Sequence, residues 1–144
     1  MRKIDGFWDS SAIVPLCVDQ GASPIVKTAR KSQSISVWWG TPVEVTSAFA
    51  RLLRESQISN RGLESALQRL SVLENSWIEV QPTGRVRELA CWLTQEHPLR
   101  AADGLQLAAA LVWSQERPRN PLFICLDGRL AQAAQAEGFS VEVL

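Results

Sequence analysis

Histidine is almost missing from this chain of 144 residues, and its scarcity excludes both imidazole-based catalytic triads and metal sites built from several histidines. The single one, His97, precedes Pro98 at an expected helix end, where capping or exposure is the predicted role. Cysteine is scarce and scattered: Cys17, Cys91 and Cys125 form no CxxC pair, which argues against a disulfide framework and against structural zinc. Their apolar surroundings predict buried, unpaired thiols. No apolar run approaches the roughly 20 residues needed to span a bilayer. Asp5 and Asp9 interrupt the N-terminal "MRKIDGFWDSSAIVPL" before any signal-like core, so a cytoplasmic protein without membrane contact is expected.

Net charge is also missing. Fifteen basic and 15 acidic residues cancel, so bulk electrostatics does not announce a nucleic-acid binder. Within that balance lysine is rare (Lys3, Lys27 and Lys31 only), and the remaining basic residues are arginines, which suit forked contacts with phosphate. Aspartate occurs only at positions 5, 9, 19, 103 and 127. What is abundant is ordinary: 46% hydrophobic and 21% charged residues predict one globular domain over 1–144.

The hydrophobic pattern alternates short continuous runs with amphipathic stretches. Strands are predicted at 3–8, 34–39, 77–80, 121–127 and 140–144. "SAIVPLCV" after the first strand reads as a short helix or turn capped by Asp9 or Ser10, and 23–32 as a helix opened by Pro24. Residues 40–57, with Thr41 as N-cap, and 59–75 read as a helical hairpin, whose apolar surface is expected to pack in the core, with a dimer or partner contact as the alternative. Further helices are expected at 83–97, at about 99–116 and at 128–139, the last stopped by Gly138. Apolar strands alternating with helices predict an α/β sandwich around a mostly parallel sheet. Ligands of such folds gather outside the carboxyl ends of the strands, where Asp9 and Asp127 both fall.

Two further acids accompany them. Glu44 sits in the first turn of a helix, where negative charge is favoured in any case. Asp103 is set among Ala101, Ala102, Leu105 and Leu107, where unpaired burial is costly. Gly104 beside it weakens the helix, and close approach of another backbone, as in a tight site, explains a glycine there. Trp38–Trp39 is expected to pack inside, with stacking on an RNA base as the alternative.

In order, "FWDSSAIVPL", "TPVEVTSAFARL", "LRAADGLQLAAAL" and "FICLDGRLAQAAQAEGFSV" resemble the PIN-domain nucleases, above all the VapC-type toxins of toxin–antitoxin pairs. The resemblance covers nearly the whole chain. It implies a PIN-like sandwich, a metal-dependent endoribonuclease acting on RNA, a homodimer, and an antitoxin protein that holds the enzyme inactive. It assigns Asp9, Glu44, Asp103 and Asp127 to the catalytic, metal-binding acidic cluster, and Ser11 to the hydroxyl beside the first acid. Arg51 matches a basic residue of the second motif's helix, while Arg100 and Arg129 flank the acids in sequence and are expected to meet RNA phosphates. The third motif departs from a D-A-x-H-like pattern, with Gly104 and Gln106 in the second and fourth places.

Four acids and no clustered histidine suit Mg2+ or Mn2+, hard cations that prefer oxygen ligands. Asp9 and Asp103 are the expected direct ligands, with Glu44 and Asp127 completing the site. Phosphoacceptor and phosphatase readings fail on the missing late lysine and on Ser11 standing two residues after Asp9, where an acid would be needed. The remaining alternative is a catalytically inactive PIN-like scaffold that binds RNA or protein.

Overall fold

The computed structural model describes residues 4–18, 29 and 32–143. Five strands, β1 (Ile4–Trp8), β2 (Ser32–Trp38), β3 (Ile78–Val80), β4 (Leu122–Cys125) and β5 (Ser140–Val143), form one sheet in the order β3-β2-β1-β4-β5. All four pairings are parallel. The chain winds outward from β1 to β2 and β3 on one side, then returns to place β4 and β5 on the other. Strand order therefore reverses beside β1, the position at which open α/β sheets offer a crevice.

Among the described residues six helices cover the sheet: α1 (Ser10–Cys17), α2 (Thr41–Arg54), α3 (Asn60–Glu74), α4 (Gly84–Glu96), α5 (Ala101–Trp113) and α6 (Gly128–Ala136). Adjacent strand residues feed opposite cores. Phe7, Trp38 and Phe123 pack with α4, α5 and α6 through residues such as Leu93, Leu107 and Leu130. Trp8, Val37 and Ile124 pack with α1, α2 and α3 through Ile13, Val45, Phe49 and Leu70. This two-sided burial is why β4 reads as a continuous apolar run rather than an alternating one. Local chemistry starts the helices: Ser59 accepts from the Gly62 amide ahead of α3, and Thr83 from the Val86 amide ahead of α4. Among the described residues no helix is long and apolar enough to cross a membrane.

The expected helix over 23–32 lies outside the described residues apart from Ala29 and Ser32, and Ser32 opens β2. Thr41 is not the cap of α2. Gly40 takes that position without a side-chain bond, and Thr41 is buried in the first turn. Cys17 and Cys125 are buried as expected, but Cys91 is exposed, because the inward face of α4 is carried by Val86, Leu89, Ala90 and Leu93. Trp38 is buried, whereas Trp39 is 50% exposed, standing beyond the last residue of β2 and meeting Trp38 edge-on. His97 caps α4, is partly buried and pairs with Glu137 at 2.8 Å. Gly138 follows α6 at φ 107°, with the Pro118 carbonyl 3.0 Å from where a Cβ would lie, so glycine is required there.

Gly104 answers to helix packing rather than to a tight site. A Cβ at this position would lie 2.7 Å from Thr94 Cγ2 and 3.4 Å from the Ala90 carbonyl, both on α4. The glycine lets α4 and α5 approach closely. Gly104→Val is expected to destabilise the fold by about 1–3 kcal/mol through overpacking. Denaturant unfolding measures this, and an unchanged midpoint would show that the two helices can separate freely.

Candidate metal and phosphodiester site

Each of the four acids is set at the start of a helix that leaves the carboxyl edge of the sheet or its rim. Asp9, directly after β1, is the N-cap of α1 and accepts from the Ser11 amide. Asp127, after β4, is the N-cap of α6 and accepts from the Arg129 and Leu130 amides. Glu44 and Asp103 lie in the first turns of α2 and α5. Four helix N-termini thus face one place, and their partial positive charges favour carboxylates there. The sheet topology brings together what the chain separates.

A cavity of about 990 Å³ holds all four side chains on its wall, together with Ser11. Arg51, Arg100 and Arg129 line it as well. Every site residue expected from the sequence therefore meets in one crevice. Among the described residues, none of the four acids takes part in an ion pair. The arginines of the cavity act on the acids at longer range, the charge of Arg100 opposing the rise in the Asp103 pKa.

Burial, more than like charge, raises the pKa values of Asp9, Glu44 and Asp103. Asp9 is only 4% exposed, and burial pushes it from 3.8 up to about 6 against the opposing hydrogen bonds from Ser11, with the charge of Asp103 adding to the rise. Burial likewise lifts Glu44 from 4.5 to about 7, with a Gln106 hydrogen bond opposing and the charges of Asp9 and Asp103 adding. Asp103 is raised by burial first and by Asp127 second. The acids are electrostatically linked, Asp9 and Glu44 to Asp103 and Asp103 to Asp127.

Hydrogen bonds hold the two best-buried acids. Ser11 Oγ donates to Asp9 Oδ2 at 2.5 Å and accepts from the Leu126 amide at 2.9 Å, tying the end of β1 to the end of β4. Ser10 Oγ donates to Glu44 Oε1 at 3.2 Å, and Gln106 Nε2 donates to Glu44 Oε2 at 2.9 Å. Ser10, Thr41 and Gln106 were not singled out as site residues by the sequence reading. A buried glutamine in the Leu- and Ala-rich run after Asp103 was the available signal.

The donor chemistry fits a hard divalent cation: carboxylate oxygens only, poorly neutralised, in a crevice with room for water. Among the described residues no group of three His, Cys, Asp or Glu side chains is arranged to hold a metal ion as they stand. Two bonds tether acids to their own helix starts, Ser11 N to Asp9 Oδ2 at 3.1 Å and Arg129 N to Asp127 Oδ1 at 2.9 Å.

No protein-family model and no curated protein matches the sequence. Solved structures do match the fold. PAE2754 from Pyrobaculum aerophilum is similar at a TM-score of 0.66 and 15% identity, over 96% of this chain and 89% of that one. FitAcB from Neisseria gonorrhoeae is similar at 0.64 and 15% identity, over 94% of this chain and 95% of that one. At such identity the likeness speaks to architecture, and the architecture is the α/β, PIN-like sandwich with a parallel five-stranded sheet.

Proposed function

We propose that this protein is a metal-dependent endoribonuclease of the PIN type, hydrolysing RNA phosphodiester bonds as the toxin of a toxin–antitoxin pair. One observation carries the reading: four carboxylates from four helix starts line one cavity at the carboxyl edge of the sheet without an ion-paired cation. Asp9 and Asp103 would hold Mg2+ or Mn2+, with Glu44 and Asp127 completing the charge set. When bound, such an ion lowers the pKa of an attacking water and offsets charge on the scissile phosphate.

The chain's own groups do the rest. Ser11 fixes the Asp9 carboxylate by its short hydroxyl bond, leaving Oδ1 outside the Ser11 bonds. Arg51, Arg100 and Arg129 line the same cavity and offset the negative charge that would otherwise repel RNA. An antitoxin and a second copy of the chain are the proposed protein partners. Val43 on α2 and Leu67 and Val72 on α3 are exposed apolar residues available for such contacts. The proposed location is the cytoplasm.

The rival reading, a PIN-like scaffold that binds RNA or protein without cutting, draws on the absence of three carboxylates already arranged around an ion site among the described residues. One experiment separates the two. Purified protein is incubated with structured RNAs in millimolar Mn2+ and in chelator, beside Asp9→Asn protein prepared identically. Cleavage that needs Mn2+ and is lost in the variant supports the nuclease; RNA retention without cleavage supports the scaffold.

A further inference from the structure

We propose that Gln106 is a positioning residue for the acid cavity: its carboxamide holds Glu44 in place and thereby sets how tightly the cluster takes a divalent cation. The inference rests on the proposed cation site and adds a residue to it.

Gln106 is 0% exposed, inside a stretch of α5 otherwise made of Leu and Ala. A same-sized apolar side chain would serve packing there better, because burying an amide needs compensation. That compensation is one-sided. Nε2 donates to Glu44 Oε2 at 2.9 Å and to Thr41 Oγ1 at 3.2 Å, while Oε1 has no partner among the described residues. With Glu44 ionised, as a cation would require, reversing the amide would press its carbonyl oxygen against the carboxylate, so in that state the nitrogen faces Glu44. A buried amide that leaves its own carbonyl unpaired in order to reach a carboxylate is explained by what it does for that carboxylate.

Glu44 needs such a restraint. It projects from the first turn of α2 and feels the like charges of Asp9 and Asp103. Left alone, a glutamate with three side-chain torsions relieves that repulsion by turning toward solvent. Gln106 from α5 and Ser10 from α1 each hold one of its two oxygens, so two separate elements pin it from both sides. Each oxygen keeps a further lone pair for a cation or a water. Gln106 follows Asp103 by three residues, so one face of α5 supplies both an acid and the donor that steadies another.

The test measures Mn2+ affinity by calorimetry on the full chain at pH 7.5, for wild type, Gln106→Met, Gln106→His, Glu44→Gln and the double variant Gln106→Met/Glu44→Gln. Gln106→Met is expected to weaken binding about 10–100-fold, the range for losing a group that orients a ligand. Gln106→His keeps a ring N–H donor and should recover part of the affinity. The double variant should bind no more weakly than Glu44→Gln alone, because Gln106 acts through Glu44. Gln106→Leu replaces Gln106→Met if the latter does not melt cooperatively. Wild-type affinity in Gln106→Met, or losses that multiply in the double variant, overturns the positioning role while leaving the nuclease reading intact. Absence of Mn2+ binding by the wild type overturns both.

Discussion

Asp9→Asn is expected to abolish metal-dependent RNA cleavage while making the metal-free protein more stable at neutral pH. The activity loss is about 10³-fold or more, equivalent to about 4 kcal/mol of barrier, because the variant removes the most deeply buried charge from the proposed cation site. The stability gain has the opposite sign and a separate cause. Asp9 titrates at about 6 in the folded chain against 3.8 for the ordinary group, so the folded state holds its proton more tightly than the unfolded state. At pH 7.5 ionising this buried carboxyl costs the fold about 3 kcal/mol.

Asparagine removes that charge and still caps a helix well, and its side-chain oxygen can still accept from Ser11. The melting temperature at pH 7.5 should therefore rise by several degrees, about 2–4 °C for each kcal/mol in a chain of this size. Near pH 4, where the folded wild type carries the proton, the two proteins should melt together. Cleavage at the wild-type rate by Asp9→Asn, or a lower melting temperature at pH 7.5, would refute the assigned role of Asp9.

The second expectation concerns the wild type alone, in chelator and in Mn2+. A carboxyl whose folded pKa is raised contributes stability that is fully present below its unfolded pKa and lost as pH climbs through the folded pKa. For Asp9 and Glu44 the unfolded values are 3.8 and 4.5 and the folded ones about 6 and about 7. Their contribution to metal-free stability should thus decline between about pH 4 and pH 7. A cation that binds the ionised cluster acts in the other direction, adding about 2.7 kcal/mol at a hundredfold excess over its dissociation constant. Because protons and the ion compete for the same oxygens, the Mn2+ effect should grow with pH across that window and flatten the decline. Thermal melts from pH 4 to pH 8 with and without millimolar Mn2+ read this directly. Identical curves at every pH would leave the acids without a cation to hold.

Much of this molecule follows from short-range signals. A continuous apolar run marked β4, and Gly138 marked the end of α6, because strand burial and helix termination depend on a few consecutive residues. The four acids stood out for different reasons: Asp9 and Asp127 follow strands, Glu44 opens a helix, and Asp103 interrupts an apolar run. Tertiary structure alone decided the rest. Gln106 reaches Glu44 across a separation of 62 residues, and Ser11 meets the Leu126 amide across 115. Gly104 proved to face Thr94 of a neighbouring helix, and Trp39 turned outward where its neighbour stayed inside. Local patterning tells a residue which element to join. Which distant atom lies opposite its side chain is set by strand order and helix docking, and those are properties of the whole folded chain.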